Sequence, residues 1–496
     1  MNFKKLFMAS CLVLGTAACN GVTRNDNESH TPPNLLEFDV TDCVDIHDGG
    51  VWSWAMIGSE HRAYGIPDTN VSYWFVTLPV LDEPLYPGAH LELRGRFPDA
   101  RFFAFQNSDD DRSFLDLIAD HMIQADPGSV HPFREGIPYP VNGAELNYRI
   151  KVKDVPPEQR VRTPDENTLF GGYRPETARR SEYNQIVYRL YAPRGRPAHP
   201  GLGDGVTGGV GLPRVVYVVD LDQAGGETPT TKEAICGLFP TYNRLADPYG
   251  ERFLNITKRA DARAPGLAEQ PNRPTRGYDP PSPIQFVILD HPFDVLKLAF
   301  DIIPDGLLAA PDDPVRSYVN RATRYLVAFL DPAKPDESIT VIRFKSPATP
   351  QDVIRPETDP VRYWSLCVQQ TLNYIYTWAC ASDRELVHDP DAPGWVTLVF
   401  SSAADRPEGL CDPLDPASSG TGCVYNWLSY GSPVPWVFLR YVAASRTGFP
   451  ESASFYEGDL LDAAAIRTHM GDYYPWSVTC SRESLALDLC GPEHPE

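Results

Sequence analysis

Between residues 107 and 117 the chain reads NSDDDRSFLDL, which places Asn107, Asp109 and Asp111 at alternate positions. Oxygen ligands at that spacing open a calcium loop, because a hard cation is held by carboxylates gathered on one turn. Arg112 stands where the sharp turn takes Gly, and Ile118 where the loop closes with a bidentate Glu, so an EF-hand is excluded. A looser surface Ca2+ site is the one cofactor the sequence leaves open, beside the commoner use of such a run as a solvated acidic turn.

Nucleophilic and metal chemistry find less. GDGVTG at 203 to 208 satisfies the spacing of a dinucleotide loop, but His199 and Pro200 precede it and the β-run VVYVV follows, where the chemistry needs a strand before and a helix after. WLSYG at 427 to 431 comes nearest to a serine elbow, with Trp427 in place of the first glycine that the strained turn requires. No His-Glu-x-x-His helix exists, and no cysteine cluster has zinc-ligand spacing. His47 with Asp48 and Asp120 with His121 are adjacent couples, and neighbours on a strand point apart, so neither reads as a dyad. A glycosidase could recruit two carboxylates from distant loops, and this acidic chain has many. Trp52, Trp54, Tyr73 and Trp74 concentrate aromatic surface suited to stacking on sugars or apolar ligands, or to filling a core.

The strand-like run ELRGRFP at 92 to 98 sets Arg94 and Arg96 on one face and Leu93, Gly95 and Phe97 on the other. Two arginines so placed either clamp an anion or pair with neighbouring acids. A comparison of the chain with itself favours pairing. The first half runs DTNVSYWFVTL, HLELRGRFP, ARFFAFQ, LIADHMI, NYRIKV, ENTLF and IVYRLY; the second runs VNRATRYLVAFL, SITVIRFKSP, VRYWSLCVQ, CASDREL, WVTLVF, YNWLS and VFLRYV. In this order Asn70 answers Asn320, Arg94 answers Arg343, Arg96 answers Lys345, and Pro98 answers Pro347. Asp120 then answers Asp383, Asn167 answers Asn426, and Arg189 answers Arg440. A basic strand face present in both copies reads as architecture, with Asp120 and Asp383 as the expected acids, and Arg189 and Arg440 as buried cations needing partners. Asn167 and Asn426 read as turn residues.

The elements that must position these groups are short β-runs bounded by Pro, Gly, Asp and Asn, with few helical patterns; DLLDAAAIRTHMG is the clearest helix. The expected fold is mainly β, with two similar β-sandwich domains from an internal duplication, at 38–221 and 315–496. Residues 222–314 form a connection that is rich in proline, ten of them between Pro265 and Pro314, and is expected to lie across one or both sandwiches.

The N-terminus places the protein in the cell. Lys4 and Lys5 precede an apolar run to Leu14, and small residues lead to Cys19, which reads as a signal peptide over 1–18. Thr16, Ala17 and Ala18 before the cysteine resemble the lipobox of bacterial lipoproteins, so Cys19 is the expected lipid anchor, with 19–37 as a polar tether and Asn20 suiting the outer membrane. Export to the periplasm or the cell surface follows. The net charge of −22 disfavours nucleic acid as a partner. With Cys11 removed and Cys19 acylated, eight of ten cysteines remain, and an even number in an exported chain suggests disulfides. Sequence proximity pairs Cys367 with Cys380, Cys411 with Cys423 and Cys480 with Cys490, leaving Cys43 for Cys236.

ELRGRFPDARFFAFQ, ADPGSVHPF, VRYWSLCVQQ and NWLSYGSPVPWVFLRYV resemble a family of secreted bacterial proteins of unknown function, and more distantly a β-sandwich domain of unknown function. Phe103, Ala104 and Ser429 depart from that family's usual wording. The resemblance implies a β-fold and no activity. Two functions stand: an envelope lipoprotein whose tandem sandwiches bind a ligand or partner, and an exported hydrolase with loop carboxylates. They divide on whether acids converge without salt-bridge partners.

Overall fold

The structure is a computed structural model. It describes residues 34–44, 51–57, 68, 70–111, 113–134, 137, 144–193, 207–240, 285–289, 320–330, 339–350, 353–370, 377–415, 417, 422–430, 435–481 and 483, with the backbone alone at 53–57, 289, 329, 370, 377–378 and 435. The signal peptide, Cys19 and most of the tether lie outside the described residues, as do His47, Asp48, Cys490 and Gly203 to Val206 of the GDGVTG run.

The chain is mainly β. In the first half run β1 (Leu35–Asp39), β2 (Trp52–Ile57), β3 (Val71–Pro79), β4 (Ala89–Arg96), β5 (Phe102–Ser108), β6 (Phe114–Ala119), β7 (Asn147–Asp154), β8 (Thr168–Gly171), β9 (Tyr183–Tyr191) and β10 (Arg214–Asp220). They form two five-stranded sheets, ordered β1-β10-β4-β7-β8 and β2-β3-β9-β5-β6. A short helix, α1 (Lys232–Cys236), follows. In the second half run β11 (Val287–Leu289), β12 (Thr323–Phe329), β13 (Ile339–Lys345), β14 (Tyr363–Gln370), β15 (Thr377–Ser382), β16 (Trp395–Ser401), β17 (Leu410–Cys411), β18 (Val424–Ser429), β19 (Pro435–Val442) and β20 (Trp476–Cys480). Their sheets are ordered β11-β12-β19-β14-β15 and β17-β18-β16-β13-β20. The helix α2 (Ala463–Met470) is capped by Asp462, whose carboxylate accepts the N–H groups of Ala464 and Ala465.

The two halves share a strand order: β2, β3, β9, β5 and β6 stand in the order of β11, β12, β19, β14 and β15, and β10, β4, β7 and β8 in that of β20, β13, β16 and β18, while β1 and β17 extend opposite ends of their sheets without a counterpart. Even the parallel pair β7/β8 recurs, as β16/β18. The backbone repeats at finer grain. Ala192 and Ala443, each one residue past β9 or β19, both hold the left-handed conformation, with φ 46° and 50°. Their N–H groups donate to Asn70 O and Ala322 O, both at 2.8 Å.

Register corrects one expected match. Val71 lies opposite Tyr191, and Thr323 opposite Val442, so Asn70 corresponds to Ala322 and it is Asp68 that corresponds to Asn320. Asp68 Oδ1 accepts the Asn70 N–H at 3.0 Å, and Asn320 Oδ1 accepts the Ala322 N–H at 3.1 Å. Either side chain closes such a turn, which is why residue type alone misplaced the pairing.

Each half has its own apolar core between its two sheets, one built around Leu93, Phe103, Phe105 and Tyr188, the other around Ile342, Trp364, Leu398 and Leu439. A third cluster joins Tyr73, Phe102, Val187 and Tyr191 to Tyr363 and Val442, so the sheets of β3 and β14 meet face to face. Strands there are buried on both sides: β3 has no exposed residue along its length, and its sequence VSYWFVTLP lacks the alternation of a half-wet strand. The outward β4 does alternate.

One packing exchange separates the copies. Gly95 on β4 lies opposite Tyr148, and a Cβ there would sit 2.5 Å from the Tyr148 hydroxyl. In the second copy the corresponding pair is Phe344 opposite Val396. The large ring has changed strands, from β7 in the first copy to β4's counterpart β13 in the second.

The ends of the connecting segment belong to the sandwiches. Ile235 of α1 is part of the first core, and Cys236 is bonded to Cys43. Phe286 and Ile288 are buried in the second core, and β11 pairs with β12. Order also begins earlier than the tether reading allows, because β1 pairs with β10 from Leu35. Cys367–Cys380 and Cys411–Cys423 are disulfides too, and Cys480 is disulfide-bonded, while its expected partner Cys490 lies outside the described residues. Three cross-links of this kind fit an oxidising, extracytoplasmic environment.

Candidate functional site: the polar seam between the copies

Where the inner sheets meet, the sequence repeats become contacts. Arg101 directly precedes β5, and Arg362 holds the same place before β14; their N–H groups donate to Tyr191 O and Val442 O, the matching ends of β9 and β19. Their guanidinium groups then cross over. Arg101 Nη1 meets Asp383 Oδ2, and Arg362 Nη2 meets Asp120 Oδ1 at 3.4 Å. Arg362 also donates to Arg101 O at 3.1 Å. All four side chains are buried. Such ions are tolerated out of water only when paired.

The second tier of the seam is less symmetric. Asp68 accepts hydrogen bonds from Tyr363 at 2.8 Å and from Ser365, and lies 3.2 Å from Arg440 Nη1, so one carboxylate serves three groups of the other copy. At the corresponding place Asn320 Nδ2 donates to Tyr191 Oη at 2.6 Å. Arg440 has an acid, whereas its counterpart Arg189 has the neutral Gln106, whose Oε1 accepts at 2.9 Å. Both guanidiniums stand 5.7 Å from a tyrosine ring, Tyr73 for Arg189 and Tyr325 for Arg440. Burial, with the Asp68 charge beside it, raises the Tyr363 hydroxyl well above its ordinary value. Asn70 Nδ2 completes the seam by donating to Ser382 Oγ at 3.0 Å and Glu385 Oε1 at 2.9 Å.

Asp120 and Asp383 are therefore not partners of the basic strand faces, as the sequence suggests, but of Arg362 and Arg101 across the seam. Arg94 is instead gripped by Glu37, through Nη1 and Nη2 at 2.8 and 2.7 Å, and by Glu92 at 2.7 Å. Burial works against the Glu92 charge, yet the hydrogen bonds of His90 and Arg94 hold its pKa at about 2. Arg343 donates to Asp389 at 2.9 Å, Lys345 lies 3.8 Å from Asp472, and Arg96 is exposed at the end of β4. The basic faces are satisfied by local acids.

Asn167 and Asn426 are more than turn residues. Asn167 accepts the Gln124 N–H and donates to Gln124 O and Arg149 O; Asn426 accepts the Val387 N–H and donates to Val387 O and Thr397 O. Each uses its amide to stitch a loop to the neighbouring strand β7 or β16.

Of the two roles open to the aromatic group, Trp52, Tyr73 and Trp74 fill cores. Trp52 and Trp74 are buried between the first pair of sheets, with Trp52 Nε1 donating to Pro213 O at 2.8 Å, and Tyr73 is buried in the seam. The side chain of Trp54 lies outside the described residues. The acidic turn is also occupied: Arg174 meets Asp109 and Asp111, and Arg179 Nη2 meets Asp110 at 2.7 Å. Cations already neutralise the carboxylates that Ca2+ would need. Asp68, Cys367 and Cys380 cluster closely, but the two sulfurs are bonded to each other and offer no thiolate. Ser429 ends strand β18 rather than sitting on an elbow.

Asp120 and His121 correct the sequence reading in the other direction. They lie on a 3-10 turn after β6, not on a strand, and His121 Nδ1 stands 3.3 Å from Asp120 Oδ1. Sequence reasoning also missed Arg101, Arg362 and Asp68, although each arginine occupies the second position of its repeated segment, ARFFAFQ or VRYWSLCVQ.

No family model matches the chain, and no curated protein matches it. Among solved structures it is similar to the VPA0106 protein from Vibrio parahaemolyticus, a structural-genomics target, at 10% identity and a TM-score of 0.34, covering 84% of this chain and 92% of that one. A Streptomyces albus HEPD structure matches at 10% identity and a TM-score of 0.11, covering 89% and 82%. Likenesses at these scores carry no argument about function.

Proposed function

We propose that the protein is an exported, lipid-anchored envelope protein whose tandem sandwiches bind a ligand or partner without transforming it. One observation carries this reading: the matching buried acids of the two copies do not converge as free carboxylates but are each held by an arginine, Asp120 by Arg362 and Asp383 by Arg101. A general acid or nucleophile must present a carboxyl group to substrate, and a buried, paired carboxylate does not. The disulfides and the signal-like N-terminus support export, and no helix among the described residues is long and apolar enough to cross a membrane. Anchoring rests on Cys19.

The hydrolase alternative retains one observation in its favour, the Asp120–His121 couple, since an imidazole oriented by a carboxylate is a general-base arrangement. A screen of the purified mature chain against ester, glycoside and polysaccharide substrates, with and without Ca2+, separates the two. Absence of turnover alongside saturable binding supports the binding role. Turnover that is lost in His121→Ala overturns it. Incorporation of labelled palmitate by the wild type and not by Cys19→Ser tests the anchor.

A further inference from the structure

Because the chain holds two copies of one fold, each copy shows what the other does not need. On the outer face of the first copy, Arg94 lies opposite Arg149 and Arg214, and Arg96 opposite Asn147. At the same places in the second copy, Arg343 lies opposite Thr397 and Trp476, and Lys345 opposite Trp395. The scaffold is thus built with Asn147 and Arg214 where the second copy carries tryptophans, and neither ring is a requirement of the fold. Trp395 and Trp476 are only partly buried. Large aromatics left partly in water, at places where the other copy of the fold does without them, point to a recognition surface.

The charges on the two faces differ as well. In the first copy the arginines are closed off by Glu37, Glu92, Asp126 and Asp39. In the second, cations stand over rings: Arg343 5.0 Å from Trp395, Lys345 5.4 Å from Tyr473, and Arg467 of α2 4.5 Å from Trp476. Arg343 and Lys345 have Asp389 and Asp472, whereas Arg467, which lies beside the Tyr474 hydroxyl, has no carboxylate partner among the described residues. In a chain of net charge −22, a cation with no carboxylate partner among the described residues, standing over a partly exposed indole, is complementary to an anion carried on an apolar-faced body.

We infer that this face of the second sandwich binds an acidic polysaccharide. The tryptophan rings take the C–H faces of the sugars, and Arg467 with Lys345 meets their anionic groups. Trp395 and Trp476 flank β13 two residues out of step, which by strand geometry separates them by about 10–12 Å. That span exceeds one pyranose ring and suits an oligomer. The inference rests on the proposed binding role and names its ligand class.

Affinity electrophoresis of the full mature chain in gels containing polygalacturonate, its methyl ester, dextran sulfate or dextran tests it. Retardation is expected with polygalacturonate or dextran sulfate, and far less with the ester or dextran; which acidic polymer retards more assigns carboxylate or sulfate. Trp476→Ala and Arg467→Gln should each weaken retention about tenfold, while Arg214→Ala on the first copy leaves it unchanged. Thermal unfolding reports whether Trp476→Ala still folds, and Arg467→Gln carries the test if it does not. Retention that survives Arg467→Gln unchanged places the ligand elsewhere and overturns the inference. Lack of retention by either acidic polymer also overturns it, yet leaves the binding role standing, because only substrate turnover refutes that role.

Discussion

Asp120 of the first sandwich and Arg362 of the second form a buried ion pair at 3.4 Å, and Asp383 with Arg101 makes the same pair with the copies exchanged. Removing one member strands the other charge away from water, so Arg362→Ala should destabilise the protein by about 3–5 kcal/mol. Arg101→Ala should have a similar effect. Replacing both members at once, as in Arg362→Leu with Asp120→Leu, should cost much less than either single change. Urea unfolding of the three variants measures the difference.

The twin amides make a parallel prediction. Asn167→Ala and Asn426→Ala each abandon three hydrogen bonds to backbone, so each should lower stability by about 1–3 kcal/mol. Thermal unfolding of the two variants should show shifts of similar size. A shift in one and none in the other would mean that the amides are not equivalent.

The inverted volumes at Gly95 and Tyr148 allow a transplant. Gly95→Phe alone drives a ring into Tyr148 and should destabilise by at least about 1–3 kcal/mol. Adding Tyr148→Val imports the Phe344–Val396 arrangement of the second copy and should recover most of the loss. Denaturant midpoints of the single and double variants decide.

The pH response should centre on His131. It is packed against Phe97 at 4.7 Å, its Nδ1 accepts the Phe133 N–H at 3.1 Å, and burial lowers its pKa to about 4. The unfolded chain, with an ordinary histidine, binds the proton more readily. Stability from this group is therefore complete above about pH 6.5 and is lost as pH falls toward about 4. Asp154 works in the opposite sense, since burial raises it to about 6: its contribution is complete below the ordinary aspartate range and fades as pH rises through about 6. Unfolding free energy measured from pH 7.5 to 4 should slope less steeply downward on acidification in His131→Asn, and more steeply downward in Asp154→Asn.

The repeat was legible because polar residues recur in order between strands, and order along a chain survives changes in loop length. Arg94 and Arg343 could be matched by type, and the outward β4 declared itself by alternation. The seam was not legible, since Arg101 pairs with Asp383 over 282 positions of sequence and nothing local marks the crossing. Asp68 was hidden by chemistry: the turn accepts Asp or Asn, so the eye matched Asn70 to Asn320, two residues out of register. The aromatic run at Trp52, Tyr73 and Trp74 was ambiguous for a related reason, because a strand buried on both faces looks as rich in rings as one that stacks on a ligand. Trp395 and Trp476 escaped notice, since only register shows that they replace Asn147 and Arg214.

Crossed pairs of the kind Arg101–Asp383 and Arg362–Asp120 are what a two-fold homodimer makes, each subunit giving and receiving the same contact. With both subunits written into one polypeptide, their meeting is no longer second order, and the effective concentration of one for the other is set by the tether between them. The two sandwiches should therefore stay together at any dilution, which a dimer of separate chains would not.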